Sequence, residues 1–411
     1  MMQKIFYLIA LFISMDSFAQ YKGTGSVTQG PASATVTNLY SCSGGRVSGI
    51  GTIKATDNTN WTVPALVNFT NTAFPFSSDL NNACNGNNYA NVAAALAALN
   101  GTDIVTVDAD GEVITAYIFA DNYFEMYING TAVGKDKVPF TQFNSSIVRF
   151  KVKRPFTIAM LLVDWEENLG LGSELNGGFA YHPGDGGMVA VFKDASNKII
   201  ATTGNEWKAQ TFYTSPITDL TCPSESGNLR LSTNCITQNS NDGSKYYGLH
   251  WSRPANWMNA GFDDSSWPSA STFTNATIGV DNKPAYTNFT GIFDDASDDA
   301  EFIWSSNVIL DNEVIVRHTV VGAGSIFNNK LPDLKIRLYP NPAKNSFQIK
   351  GIEGLSNVKN FKIRIYNRLG ENVYEADDYN EKIELPLIPS GVYLIKIMSN
   401  SVQVTQKLII E

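Results

Sequence analysis

The apolar and polar positions alternate with a short period over most of the chain. "NYFEMYINGTAVG" sets Tyr123, Glu125 and Tyr127 against Phe124, Met126 and Ile128, then turns at Asn129-Gly130. "VTVDADGEVITAYIF" carries Asp110-Gly111, a hairpin signal, while "SSIVRFKVK", "FTIAMLLVDW" and "GMVAVFKD" read as further strands. One stretch, "YANVAAALAAL", has the alanines and leucines of a helix. Short strands between Gly and Asn turns, almost without helix, predict an all-β chain built as a sandwich or jelly roll.

The same pattern returns at the C-terminus. "FKIRIYNRLGENVYEA" forms a hairpin marked by Ile363, Ile365, Val373 and Tyr374, and Tyr393, Ile395 and Ile397 share one face of a later strand. Pro340 and Pro342 bracket Asn341 where a strand would start. These elements predict a small, immunoglobulin-like β-sandwich. Before it, "VVGAGSIFNNKLPD" is a linker by its Gly, Asn and Pro content.

Composition then narrows the setting. Charged residues are 17% of the 411, and the net charge is −9 without a block of Lys or Arg. Binding of nucleic acid or an anionic membrane through a basic face is therefore not expected. The N-terminus "MMQKIFYLIALFISMDSFAQ" pairs Lys4 with a short apolar run and a small-x-small site. That describes a cleaved signal peptide over residues 1–19, with the cut between Ala19 and Gln20. No later run approaches the roughly 18 apolar residues of a transmembrane helix. Four cysteines in an exported chain favour disulfides. Of three pairings, Cys222–Cys235 would close a short polar loop and Cys42–Cys84 would tie down the N-terminal segment.

Two resemblances follow from particular residues. Tyr339-Pro340-Asn341-Pro342, Asn367-Arg368-Leu369-Gly370, Ser390-Gly391-Val392-Tyr393 and the last strand through Lys407 closely resemble the C-terminal sorting domain of the type IX (Por) secretion system of Bacteroidetes. The resemblance implies passage across the outer membrane, then release or attachment at the surface, with that machinery as a partner. "ADNYFEMYINGTAVGKD", "WMNAGFDDSSWPSASTF" and "AEFIWSSNVILDNEVIVRHTVV" resemble the galactose-binding-like jelly roll of carbohydrate-binding modules. There the hairpin usually follows the other two motifs, and here it precedes them. A permuted single sandwich, with Ile104–Trp207 and Tyr246–Val320 completing each other, or a two-part arrangement would explain the order. The expected organisation is a signal peptide (1–19), a Ser/Thr/Asn-rich segment with one short helix (20–103), a jelly-roll sandwich (104–320), a linker (321–334) and the sorting domain (335–411).

The candidate chemistry concentrates in "VDWEENLGLGSELNGGFAYHPGDGG", between two predicted strands. A connection of this length is functional or mobile. Asp164, Trp165, Glu166, Tyr181, His182 and Asp185 are the predicted ligand-binding residues. Carboxylates and a tryptophan platform would suit a sugar, which needs apolar contact on its face and hydrogen bonds at its edge. Trp251, Trp257, Tyr286 and Trp304 are further candidate platforms. Catalysis on a polysaccharide would need paired carboxylates among Asp164, Glu166, Glu167, Glu174 and Asp185, or a Tyr181–His182 acid and base with Arg149, Lys151 and Lys153 attracting an acidic sugar. No cofactor is required. The acidic loops, above all "FDDASDDAE" with Asp294, Asp295, Asp298 and Asp299, would admit a structural calcium. The leading expectation is a non-catalytic, exported protein that binds a glycan or cell-surface polysaccharide. A polysaccharide lyase or glycoside hydrolase with its site around Asp164–Asp185 is the alternative, and a structural adhesin the second.

Overall fold

The computed structural model describes residues 21–99, 101–295, 300–321, 337–350, 362–367, 372–376, 382–399 and 402–411. The expected signal cleavage at Ala19–Gln20 and the linker core lie outside these residues. With 47% strand and 6% helix, the chain is all-β as expected. It divides into two compact units, residues 1–322 and 323–411.

Two large sheets, antiparallel except for one short strand, form the body of the first unit. A seven-stranded sheet runs in the order Ser26–Gln29, Tyr247–His250, Lys208–Ile217, Asp311–Val320, Phe156–Val163, Tyr123–Ile128, Thr131–Lys135. The second sheet runs Ser271–Phe273, Phe302–Trp304, Gly187–Lys193, Glu112–Asp121, Asn144–Val152, Ser78–Asn82, Asn87–Asn88. Asp311–Val320 pairs with Lys208–Ile217 on one side and Phe156–Val163 on the other, so the motifs early and late in the chain complete a single sandwich. Residues 20–103 supply strands to both sheets and the short helix Val92–Ala97, capped by Asn91 Oδ1 on the amide of Ala94.

Side-chain alternation builds two cores. Ile158, Met160 and Leu162 point to one, with Phe124, Met126, Ile128, Val314 and Val316 and the inner face of the second sheet. Ala159, Leu161 and Val163 point to the other, where Tyr21, Phe69, Phe74, Trp251, Trp257 and Trp267 cover the outside. Both faces of Phe156–Val163 are buried, which is why "FTIAMLLV" is continuously apolar instead of alternating.

The Asn129-Gly130 turn forms as expected: both residues have positive φ, 50° and 88°, and join paired strands. Asp110-Gly111 does not make the expected hairpin. Ile104–Thr106 runs parallel to Asn144–Val152, and Glu112–Asp121 runs antiparallel to the same strand. A glycine is needed there because a Cβ on Gly111 would lie 2.4 Å from the carbonyl carbon of Val152. Both expected disulfides are present, Cys42–Cys84 and Cys222–Cys235.

One buried cation staples the outer cover. Arg317, 1% exposed, pairs through Nε with Asp264 at 2.7 Å and donates to the carbonyls of Trp257 and, at 3.1 Å, Asn259. The "FDDSSWP" and "VRHT" motifs are thus the two halves of a structural clamp, and Trp267 is core.

The second unit has a four-stranded sheet in the order Asn372–Ala376, Lys362–Tyr366, Gly391–Ser399, Val402–Ile410, and a three-stranded one, Arg337–Tyr339, Ser346–Lys350, Ile383–Glu384. Tyr393, Ile395 and Ile397 are all buried, as the alternation requires, and Ile365 pairs with Tyr374 in the expected hairpin. Asn341 explains its place between two prolines. Its side chain donates to the Lys407 carbonyl and accepts from the Ile409 amide, both at 2.8 Å, clipping the last strand.

Replacing Arg317 by Met should cost about 3–5 kcal/mol in denaturant unfolding, because Asp264 and several carbonyls lose their buried partner. A loss below about 1 kcal/mol would show that the cover holds without the clamp.

Candidate functional site

At one end of the sandwich, Glu112–Asp121 and Phe156–Val163 finish while Asn144–Val152 and Gly187–Lys193 begin. Strand ends leave polar residues where the pairing stops. Asp121, Asn122 and Asp164 are such residues, and all three face a cleft of about 930 Å³. The Gly-rich stretch folds over it. Glu174–Asn176 and Phe179–His182 pair as a small hairpin around Gly177 and Gly178, whose φ values are 57° and 91°. Glu174, Asn176, His182, Gly184 and Asp185 thereby reach the cleft. Arg46, Gln142 and Lys283 line it from other segments.

The predicted ligand residues divide. Asp164, His182 and Asp185 converge on the cleft. Trp165 does not: it is 1% exposed, stacks edge-on against Tyr123 and donates its indole N–H to Gly49 O at 3.1 Å. Glu166 does not either. Its buried carboxylate accepts from the amides of Gly170, at 2.8 Å, and Gly172, and from Tyr213 Oη at 3.2 Å, so it latches the loop. Tyr181 packs against Tyr246 and lines a separate, smaller pocket. The other candidate platforms, Trp251, Trp257, Tyr286 and Trp304, are core. Phe143 is the aromatic side chain in the cleft lining, with Lys283 Nζ 4.5 Å above its ring. Arg149, Lys151 and Lys153 sit elsewhere; Lys153 pairs with Asp110 at 2.5 Å, and Lys151 donates to Ala109 O at 2.7 Å.

Of the acidic loop proposed for calcium, Asp298 and Asp299 lie outside the described residues. Asp294 accepts from Asn275 Nδ2 at 3.4 Å. Among the described residues, no three His, Cys, Asp or Glu side chains are placed to hold one metal ion.

Sequence reading missed Asp121, Asn122, Arg46, Gln142 and Lys283. Asp121 carried a signal that was available: like Asp164, it is an acid at the end of an apolar strand. Asn122 accepts the Trp165 amide at 2.6 Å and donates to Asp121 Oδ1 at 2.6 Å, which holds the carboxylate in place. Arg46 forms an ion pair with Glu174.

Crowded carboxylates in a partly closed cleft resist ionisation. Burial, then the charges of Asp185, Asp164 and Glu174, pushes Asp121 well above the usual carboxylate range. Burial, then Asp185, Glu174 and Glu166, does the same to Asp164. Asp185 is pushed up to about 6 by burial, with His182 and Lys283 opposing. Glu174 is raised by burial against the pull of Arg46.

Residues 337–411 match the family described as the secretion system C-terminal sorting domain, so the protein is exported to the cell surface or beyond it. Among solved structures, PorZ of Porphyromonas gingivalis, described as an essential bacterial surface component of the type-IX secretion system, shows 16% identity, a TM-score of 0.17 and coverage of 27% of this chain and 15% of its own. Dimeric latent PorU from Porphyromonas gingivalis shows 12% identity and a TM-score of 0.15, covering 94% of this chain and 34% of its own. The chain therefore spans 15% and 34% of these two structures. No curated protein matches the chain.

Two measurements follow. A carboxyl raised on folding stabilises the protein below its unfolded pKa and loses that contribution as the pH rises through its folded pKa. Asp164→Asn does not titrate. The variant should therefore gain on wild type between pH 4 and pH 8, reaching on the order of 1–3 kcal/mol in thermal or urea unfolding. Equal loss at both pH values would make Asp164 a structural acceptor. The Cys42–Cys84 bridge encloses a separation of 42 residues. Cys42→Ser with Cys84→Ser should cost about 4 kcal/mol by chain entropy. It should also raise amide exchange at Gly44–Arg46 and Ala83, the cleft residues beside it; unchanged exchange there would show that the rim holds itself.

Proposed function

We propose that this protein, exported through the type IX system, binds a carbohydrate in the cleft of its first unit without chemically altering it. One observation carries the reading: Asn81, Asn88, Asn176, Asn282, Asn288 and Gln142 line a single cleft together with carboxylates. Each amide offers a planar donor and acceptor pair, the chemistry that matches the neighbouring hydroxyls of a sugar ring. The cleft volume lies at the upper end of the range for small-molecule sites, which suits an oligosaccharide. Without a tryptophan platform, recognition rests on hydrogen bonding at the ring edges more than on stacking. The galactose-binding-like resemblance of residues 104–320 supports the same class of ligand.

A second reading has its own observation. Asp164 and Asp185 line one cleft and burial raises both, Asp185 to about 6; two carboxyls in one cleft are what an acid and a base on a glycosidic bond require.

A glycan array probed with the purified protein, with and without calcium, should give selective hits that Asn282→Ala with Asn288→Ala abolishes. Silence under both conditions would overturn the binding reading. Release of reducing ends or unsaturated products from a bound polysaccharide would replace it with the catalytic one.

A further inference from the structure

We infer that the floor of the cleft takes a protonated amine, so that the glycan class selected is one with free, unacetylated amino sugars. This rests on the glycan-binding reading and narrows it.

Four carboxylates face the cleft, Asp121, Asp164, Glu174 and Asp185, against two permanent cations, Arg46 and Lys283. Arg46 is engaged by Glu174. Lys283 attracts Asp121 and Asp185 from its place over Phe143. His182 Nδ1 is bonded to Asn239 Oδ1. Asp164 is left over. It is 5% exposed, lines the cleft, and among the described residues receives neither a cation nor a side-chain or backbone donor on its carboxylate. The backbone at Gly184 fills one flank of it: a Cβ there would sit 3.1 Å from both carboxylate oxygens.

A buried carboxylate without a partner is costly, so the missing donor is expected from the ligand. A hydroxyl supplies only a neutral hydrogen bond. A uronate or sulfate would meet like charge. A single metal ion lacks three converging side-chain ligands among the described residues. A primary ammonium is compact, carries three donors and brings the charge that the floor lacks. The amides at the rim, Asn88, Asn176, Asn282, Asn288 and Gln142, are left for the hydroxyls of the same sugar and its neighbours.

Proton linkage gives an independent readout. The groups facing Asp164 are Asp121, Asp185, Glu174 and Glu166, with His182, Arg46 and Lys283 beyond them. Their repulsion holds protons on the cluster when it is empty. An incoming ammonium favours the ionised form, so binding should release protons.

Calorimetry on the full protein at pH 6, in two buffers of different ionisation enthalpy, tests this with three probes: a glucosamine tetramer, its fully N-acetylated counterpart and an oligogalacturonate. The amine tetramer should bind with proton release, the acetylated one about tenfold or more weakly, and the acid should not compete. Asp164→Asn, and separately Asp185→Asn, should erase the preference for the amine while thermal unfolding confirms the fold. Equal affinity for the amine and acetylated tetramers would overturn the amine assignment and leave glycan binding standing. Binding of a lysine-rich peptide with no oligosaccharide bound would overturn both.

Discussion

Both faces of the central strands of the seven-stranded sheet are out of water, and the rest of the first unit follows from that constraint. A sheet at the centre of a sandwich needs only one apolar face, with water on the other. Here Leu161, Val163 and Ile315 point away from the second sheet, and exposing them would cost about 1.5–3 kcal/mol each. The chain meets the requirement with segments that lie before and between the sandwich strands. Tyr21, Phe69 and Phe74 come from the beginning; Trp251, Trp257 and Trp267 come from beyond residue 250. Such a cover has little regular structure of its own, so it depends on point attachments. Arg317 provides one, with buried Lys135 on the carbonyls of Asn68, Phe69 and Asn71 as another.

The cleft is a by-product of this covering. Where the strands stop, the cover must cross the end of the sandwich, and it does so as loops rich in Gly and Asn. These loops carry Arg46 and the hairpin with Glu174 and His182 to positions opposite the strand-terminal acids. Deep carboxylates on rigid strands and amides on the crossing loops make one site with a charged floor and a polar rim. The electrostatic strain at the floor is tolerated because the stability lies elsewhere, in two large apolar cores.

Much of this was legible in sequence, and the parts that were not share a cause. Period-two alternation gave the strands around Tyr123–Ile128 and Tyr393–Ile397 correctly, because it reports which side of a pleat each residue occupies. The continuous apolar run at Phe156–Val163 signalled burial on both sides but could not say what lay against the second side. Asp164, His182 and Asp185 were legible as a local concentration of polar residues among glycines. Trp165 and Glu166 belong to the same stretch yet turn inward, Trp165 onto Tyr123 and the Gly49 carbonyl and Glu166 onto the amides of its own loop, partners that no local pattern reveals. Arg46 and Lys283 are more than a hundred residues away on either side of Asp164, and only the path of the cover brings them together. The hairpin expected at Asp110-Gly111 failed for a related reason: the turn signal was local, while the partner strand, Asn144–Val152, was not.

The bridge between Cys42 and Cys84 gives the cleft a history as well as a shape. Gly44, Gly45 and Arg46 follow one cysteine, and Ala83 precedes the other, so this side of the opening is pinned by a bond that cannot persist among cytosolic thiols. A copy held back in the cytoplasm would keep its strands but not this edge of its mouth. That edge of the cleft is finished only after the chain has met an oxidant.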